Sequence, residues 1–286
     1  EIHWRDWSSD VCSSDLLLQR PLEDAIPPDI RIDVQLRVVD YLSQCGQLPQ
    51  ALAELDAMGM PPIGPARLRW WRMRANVLHQ LGRIDEAVAH GEQALQNAPP
   101  DSREQAEVLM SLATFAHSDG RMADAVAHAD ASIALFERLG DPTGRARAQF
   151  YRGIARIEQG DIPAAEVDLR GTASAAVQRG YVYLQRLALY NLAAAHSNHS
   201  RPAEALAVAR EAWPSMADEP HEEMTLVFRS MFIECHFQLG EWGPMWDHLV
   251  AAVFGAMAGS SAMLRMSIAN CAPEPAALLG HWDVVA

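Results

Sequence analysis

The sequence predicts an all-α fold, a right-handed α-solenoid of antiparallel helix hairpins, on three observations. A short turn recurs: Leu81-Gly82-Arg83-Ile84-Asp85-Glu86-Ala87 has cousins whose turn residue falls at 46, 82, 120, 160, 200, 240 and 280, in steps of 36, 38, 40, 40, 40 and 40. Between the turns, apolar residues recur every three or four positions, which is a helical period. Alanines stand at corresponding places after the turns, where two helix backbones must approach. A fixed period of this length marks a stacked repeat, in which each unit buries its apolar face on the next.

Residues 1–16 stand apart from this pattern. They carry four serines, three aspartates and two tryptophans with no helical or strand period. Asp6 to Leu16 reads as a conceptual translation of a common short-read sequencing adapter, so 1–16 is taken as assembly contamination and left out of the fold. Residues 17–28 are expected to form an irregular lead-in with Pro21, Pro27 and Pro28, and 29–286 to form the repeat array.

The first helix is expected near Asp29, where a prolyl pair followed by a carboxylate suits a helix start. Ile32, Leu36, Val39 and Leu42 form its apolar stripe, and Gly46 ends it. Pro49 opens the next helix, with Ala51, Leu52, Leu55 and Met58, up to Met60-Pro61-Pro62. In the second unit Trp71, Ala75, Leu78, Gly82, Ala87, Ala94 and Pro99 alternate large and small residues around the turn. The third keeps Leu109, Leu112, Ala113, Gly120, Ala125 and Ala129; the fourth keeps Gly153, Gly160, Ala165 and Leu169. The fifth keeps Leu189, Leu192, Ala193, Ala205, Ala209 and Ala212, with Ser200 in place of the turn glycine. The sixth is looser: Phe232, Ile233, Gly240, Leu249 and Ala252, with Met245 where alanine is usual. Pro273 and Pro275 interrupt a seventh unit, whose turn at Gly280 is followed by the end of the chain at Ala286. An interior proline costs a helix about 3 kcal/mol. The expected array is therefore six hairpins plus a partial seventh, in a chain read as truncated at both ends.

The pattern Trp71, Ala75, Leu78, Gly82, Ala87, Ala94, Pro99 resembles the tetratricopeptide-repeat family, departing from it at Arg74 and Gly91. The family's period is about 34 residues; the units here are about six longer, with the surplus expected in long second helices and their exits, such as Gly140-Asp141-Pro142. In this they resemble the repeats of large bacterial regulators of the LuxR/MalT type. The resemblance implies a superhelix whose concave groove is lined by the first helix of each pair and holds a protein or peptide. It places Arg72, Asn76, Thr114, Phe150, Tyr190, Asn191 and Glu234 in that groove. Arg72 and Asn76 stand where chaperone-binding relatives hold a peptide's C-terminal carboxylate, but the other basic residues of that clamp are missing.

Composition narrows the partners. With 23 basic residues, all arginine, against 37 acidic, the formal net charge is −14. Removing residues 1–16, which contribute −3, leaves about −11 by the same count. Such a surface repels phosphate backbones, so direct nucleic-acid contact by this segment is not expected. The absence of lysine and the abundance of alanine suggest a GC-rich, bacterial coding sequence. The most apolar run, Leu249 to Leu264, is interrupted by Gly255, Gly259, Ser260 and Ser261, and is read as a repeat helix and loop, since a spanning helix takes about 20 apolar residues. Without Cys12, the remaining Cys45, Cys235 and Cys271 form no C-x-x-C pair, which points to a reducing, cytoplasmic setting.

Other chemistry-bearing residues have structural readings. Arg145, Arg152 and Arg156 share a helical face and are expected to pair with Glu158, Glu166 or Asp168 across a hairpin. His196 and His199 lack a third ligand at a recognisable spacing and are read as helix-end histidines, like His117 and His236. Trp70, Trp71, Trp242 and Trp246 are read as packing anchors, and Cys235 and Cys271 as inert thiols. No nucleotide-binding, nucleophile or metal motif is present. The expectation is a non-catalytic, cofactor-free scaffold that binds a protein or peptide; the alternative is the effector-sensing arm of a LuxR/MalT-type ATP-dependent transcription regulator.

Overall fold

The computed structural model describes residues 28–216 and 223–257. The adapter-like stretch, the lead-in, Cys271 and the partial seventh hairpin with Gly280 lie outside the described residues. Within them every regular element is helical: α1 (Pro28–Gln44), α2 (Leu48–Met58), α3 (Pro65–Gln80), α4 (Ile84–Asn97), α5 (Arg103–Ser118), α6 (Met122–Arg138), α7 (Pro142–Glu158), α8 (Ile162–Val177), α9 (Val182–Asn198), α10 (Pro202–Ala212), a 3-10 turn (Trp213–Ser215), α11 (Glu223–Leu239) and α12 (Trp242–Met257). The fold is the all-α, consecutive-hairpin architecture expected.

The repeated turn is one device used many times. Gly46, Gly82, Gly120, Gly160 and Gly240 sit at φ of 73°, 77°, 75°, 78° and 72°, and Ser200 takes the same left-handed place at 57°. The residue after each turn donates its N–H back across the helix end, as Arg83 does to the Leu78 carbonyl and Asp161 to that of Arg156, both at 2.9 Å. This is a Schellman closure, which satisfies carbonyls that the ending helix leaves open. The sequence reading missed that the same closure also ends second helices. Gly140 and Gly180 have φ of 64° and 72°, with Asp141 and Tyr181 donating to Phe136 and Ala176 at 2.9 and 3.0 Å. From 120 to 200 the turn thus recurs every 20 residues. The long period follows: α6 and α8 run 17 and 16 residues, against 11 and 14 for α2 and α4. Starts are capped too. The Asp141 carboxylate accepts from the Thr143 and Gly144 amides at 3.1 and 2.9 Å, with Pro142 opening α7.

The chain divides into two compact units, with the boundary in the sequence between Asp124 and Ala125 of α6. In the first, each helix from α1 to α5 contacts the next, and the first helices α1, α3 and α5 also touch in succession. Leu36, Val39 and Leu42 of α1, Ala51 and Leu55 of α2, Ala75 and Leu78 of α3 and Ala87 and Ala94 of α4 are fully buried, joined by Trp70 and Trp71. The Trp70 indole donates to the Leu55 carbonyl at 3.2 Å, which ties the first hairpin to the second. Both departures from the repeat pattern have a local cause. Arg74 lies over the Trp70 ring, 5.2 Å from its centre, and pairs with Asp56 at 2.5 Å. Gly91 leaves room for Leu112, whose Cδ2 would lie 2.7 Å from an added Cβ.

In the second unit, α7 to α12 pack successively, and first helices α7, α9 and α11 again touch in order. Leu169, Ala173, Leu189, Leu192, Ala193, Ala205 and Ala209 form its centre, and Leu226, Ile233, Met245, Leu249 and Ala252 a smaller cluster beyond it. Fully burying one leucine contributes about 1.5–3 kcal/mol, so these stripes outweigh any helix propensity. Ala125 and Ala165 are buried at 1% and 0% exposure. A Cβ on Gly153 would lie 2.9 Å from Leu169 Cγ, so α7 and α8 meet there backbone to side chain.

Candidate functional site

The residues expected to line the groove lie on the first helices, which touch one another within each unit. In the first unit Arg72 and Asn76 share a face of α3, and Thr114 lies on α5. Arg72 forms an ion pair with Glu107 of α5, a carboxylate that Arg103 also reaches at 3.2 Å. Its guanidinium is therefore already matched by the next repeat, which argues against a free-carboxylate clamp. Asn76 is half-buried, and its amide makes no side-chain hydrogen bond among the described residues. The Thr114 hydroxyl donates to the Met110 carbonyl at 3.2 Å, inside its own helix.

In the second unit Phe150 is only 6% exposed and belongs to the apolar cluster, where its ring meets Tyr151 edge-on at 5.4 Å. Tyr190 and Asn191 of α9 are half-buried and Glu234 of α11 is exposed. Burial raises the Tyr190 phenol above its ordinary value, and the nearby Glu234 charge adds to the effect. These two residues, from neighbouring first helices, are thus within electrostatic reach of each other. Tyr190 also meets Phe228 edge-on at 5.7 Å, and the Asn191 amide donates to the Leu187 carbonyl at 2.8 Å.

The arginine face of α7 is structural. Arg152 grips Asp168 of α8 with two bonds, at 2.8 and 2.6 Å, and Arg156 adds a third at 2.8 Å. Asp168 is 1% exposed, and Asp130 of α6 takes a further Arg152 nitrogen. Hydrogen bonding to Asp168, then to Asp130, raises the Arg152 guanidinium further above its already high value. Arg145 turns the other way, to Glu137 at 3.5 Å, a partner the helix-face reading did not include.

The histidines at 196 and 199 diverge. His196 is buried, its Nδ1 has no partner among the described residues, and burial lowers its pKa. Glu166 at 3.9 Å is then beside a neutral ring, which makes the contact a weak polar one. His199 Nδ1 bonds the Ala195 carbonyl at 2.8 Å. Among the described residues no three His, Cys, Asp or Glu side chains are placed to share a metal ion. Burial pushes the Cys235 thiol up to about 11, which leaves it protonated beside Ser197 and Met231. Trp242 departs from its packing role: it is 42% exposed, edge-on to Phe237 at 5.5 Å.

Two cavities complete the picture. One of about 270 Å³ in the first unit is bordered by Ile63, Arg67, Trp71, Asn97, Pro99 and Glu104. The other, about 690 Å³, opens in the second unit between the end of α10, α11 and the start of α12. Its wall includes Arg210, Trp213, Phe232, His236, Trp242 and His248. The sequence reading took His236 and Trp242 separately and passed over His248. Their spacings of six and twelve residues carry no helical signal across a turn, so only the fold reveals them as neighbours.

A stack of helix hairpins with a row of polar residues on touching first helices defines a repeat scaffold of the α-solenoid class. Residues 41–102 match the family model described as tetratricopeptide repeat. Among curated proteins, no sequence relative matches. Solved structures share the fold. The TPR-like repeats of a putative kinesin light chain from Podosopora anserina align with a TM-score of 0.59 at 17% identity, over 69% of this chain and 99% of that one. A Rap protein complexed with Competence and Sporulation Factor aligns at 0.62 and 12% identity, over 90% and 88% of the two chains. The type IV pilus biogenesis factor PilW aligns at 0.62 and 20%, over 82% and 97%.

Proposed function

We propose that this chain is a non-catalytic scaffold that binds a protein or peptide along its first helices. The observation that carries this reading is the placement of Tyr190 and Glu234 on touching first helices. A half-buried phenol and an exposed carboxylate from touching helices α9 and α11 give an extended ligand both an apolar contact and a hydrogen-bond acceptor. Asn191 beside them and Asn76 in the first unit add amide donors and acceptors suited to a peptide backbone. A preformed helical surface spends little on ordering, so a few such side chains suffice for affinity.

The test is selection of binders from a displayed random-peptide library on the full chain, followed by Tyr190→Ala and Glu234→Arg. Selected peptides should bind each variant about tenfold more weakly, the loss of roughly one good contact. Peptides that ignore both substitutions, or a library that yields none, would refute the reading.

The regulator-arm reading, with its bacterial and cytoplasmic setting, is tested by the complete open reading frame. A nucleotide-binding or helix-turn-helix domain beside the array would support it, and a free-standing array would not. Among the described residues no helix is long and apolar enough to cross a membrane.

A further inference from the structure

The cleft at the junction of α10, α11 and α12 differs in chemistry from the first-helix row. Its rings form an ordered cluster. Phe232 and His248 stack with centres 4.4 Å apart and planes 12° from parallel, and His236 lies nearly parallel to both, at 6.3 and 5.9 Å. Trp213 stands perpendicular to Phe232 and His248, at 87° and 82°. Of the three stacked rings only His248 is partly exposed; Trp213 is half-buried, and Trp242 is open at 42%.

The charge around this cluster runs against that of the chain. Arg210, exposed at the cleft wall, makes no ion pair or hydrogen bond among the described residues. Behind the wall the Arg229 guanidinium lies 4.9 Å from the centre of the Trp213 ring; its Nη1 is 3.4 Å from His248 Nδ1, and its buried Nε has no hydrogen-bond partner among the described residues. Glu241 is the cleft's only carboxylate among the described residues lining it, and it accepts from His236 Nδ1 at 2.6 Å. Burial, with Arg229 close by, holds His248 at about 4, so the stacked imidazole is neutral near pH 7. In a chain of formal net charge −14, two arginines without carboxylate partners among the described residues thus lie beside an aromatic wall.

We propose that this cleft is a second binding site, for a planar aromatic group that bears a carboxylate. Arg210 receives the carboxylate, for which a guanidinium offers two parallel donors. The exposed faces of Trp213, His248 and Trp242 receive the ring. Aromatic side chains meet such a ligand edge-on or offset, as they already meet each other here. A volume of about 690 Å³ falls in the range of small-molecule sites. The Arg229 cation pins Trp213 from behind and adds positive potential without occupying the cleft.

The carboxylate can belong to a free small molecule or to the C-terminal aromatic residue of a peptide. Calorimetry on the full chain separates these sources with 2-naphthoate, and with a tetrapeptide ending in tryptophan, each beside its neutral amide. At least one acid should bind, and its amide should bind roughly tenfold or more weakly, the cost of losing a charge-assisted bond. Arg210→Gln should bring the acid down to the amide's affinity, Arg210→Lys should restore part of it, and Arg147→Gln, on α7, should change nothing. Tighter binding of naphthoate than peptide identifies a free ligand; the reverse identifies a peptide end. Failure of both acids to bind, equal affinity for acid and amide, or an Arg210→Gln variant that binds as well as the parent would overturn the proposal. The acid–amide comparison needs no variant, so a folding defect cannot obscure it.

Discussion

Asp168 illustrates how a residue's meaning depends on its surroundings. On the sequence it is one of several acids that could face the arginines of α7; in the structure it is buried and held by Arg152 and Arg156. Removing its charge leaves two guanidinium groups facing an uncharged amide, although Asp130 and partial exposure of both arginines soften the loss. Asp168→Asn is expected to destabilise the second unit by about 2–4 kcal/mol, toward the lower part of the range for broken buried pairs. A urea midpoint equal to that of the parent would contradict this. His248 gives a second residue-level prediction. Burial sets its folded value at about 4, below the ordinary 6.5, so between those limits the unfolded chain binds the proton and the folded chain does not. Stability contributed by the neutral ring is thus present above pH 6.5 and is lost as pH falls toward 4, by on the order of 2–3 kcal/mol. Burial shifts His79, His90 and His196 in the same direction, so each adds to the slope. Denaturation midpoints between pH 7 and 4.5 should fall, and His248→Phe should flatten the fall; an unaltered slope in that variant would rule out His248 as a source.

At the scale of the element, the left-handed helix closure decides where hairpins fold back. Ser200 is the one turn position among the described closures that is not glycine, at φ 57°. A side chain there costs about 1 kcal/mol relative to glycine. Ser200→Gly should therefore raise stability by about that amount and shift the thermal midpoint upward; a midpoint that falls would mean that the serine hydroxyl supports the turn. The glycine spacing made the hairpin turns legible, and alanines after them showed where helices approach. The equivalent closures at Gly140 and Gly180 were harder to read, because one was seen only as part of a Gly-Asp-Pro exit and the other lacks a flanking proline. Helix lengths therefore came out only with the structure. A glycine can also serve packing instead of a turn: at Gly144 an added Cβ would meet the Phe136 ring at 2.4 Å.

For the whole molecule, charge and periodicity pull toward one kind of partner. A formal net charge of −14, with arginines such as Arg72, Arg74, Arg121 and Arg152 committed to carboxylates, is expected to disfavour a phosphate backbone. The full chain should show no salt-sensitive binding to random duplex DNA by fluorescence anisotropy, and binding that weakens steeply with salt would contradict this reading. The sequence by itself determined the all-α class, the hairpin turns and the buried alanine and leucine stripes, because those follow from helical period and steric size within each repeat. Only the tertiary structure decided which polar side chains are spent and which are available. Arg72 is taken up by Glu107, Phe150 by the core, and Asp168 by two arginines, while Tyr190 and Glu234 lie on touching helices. Arg210 and Trp213, at the end of α10, are brought to His248 of α12. Such meetings depend on residues of different helices being brought face to face by packing, and a local pattern in the chain carries no record of that.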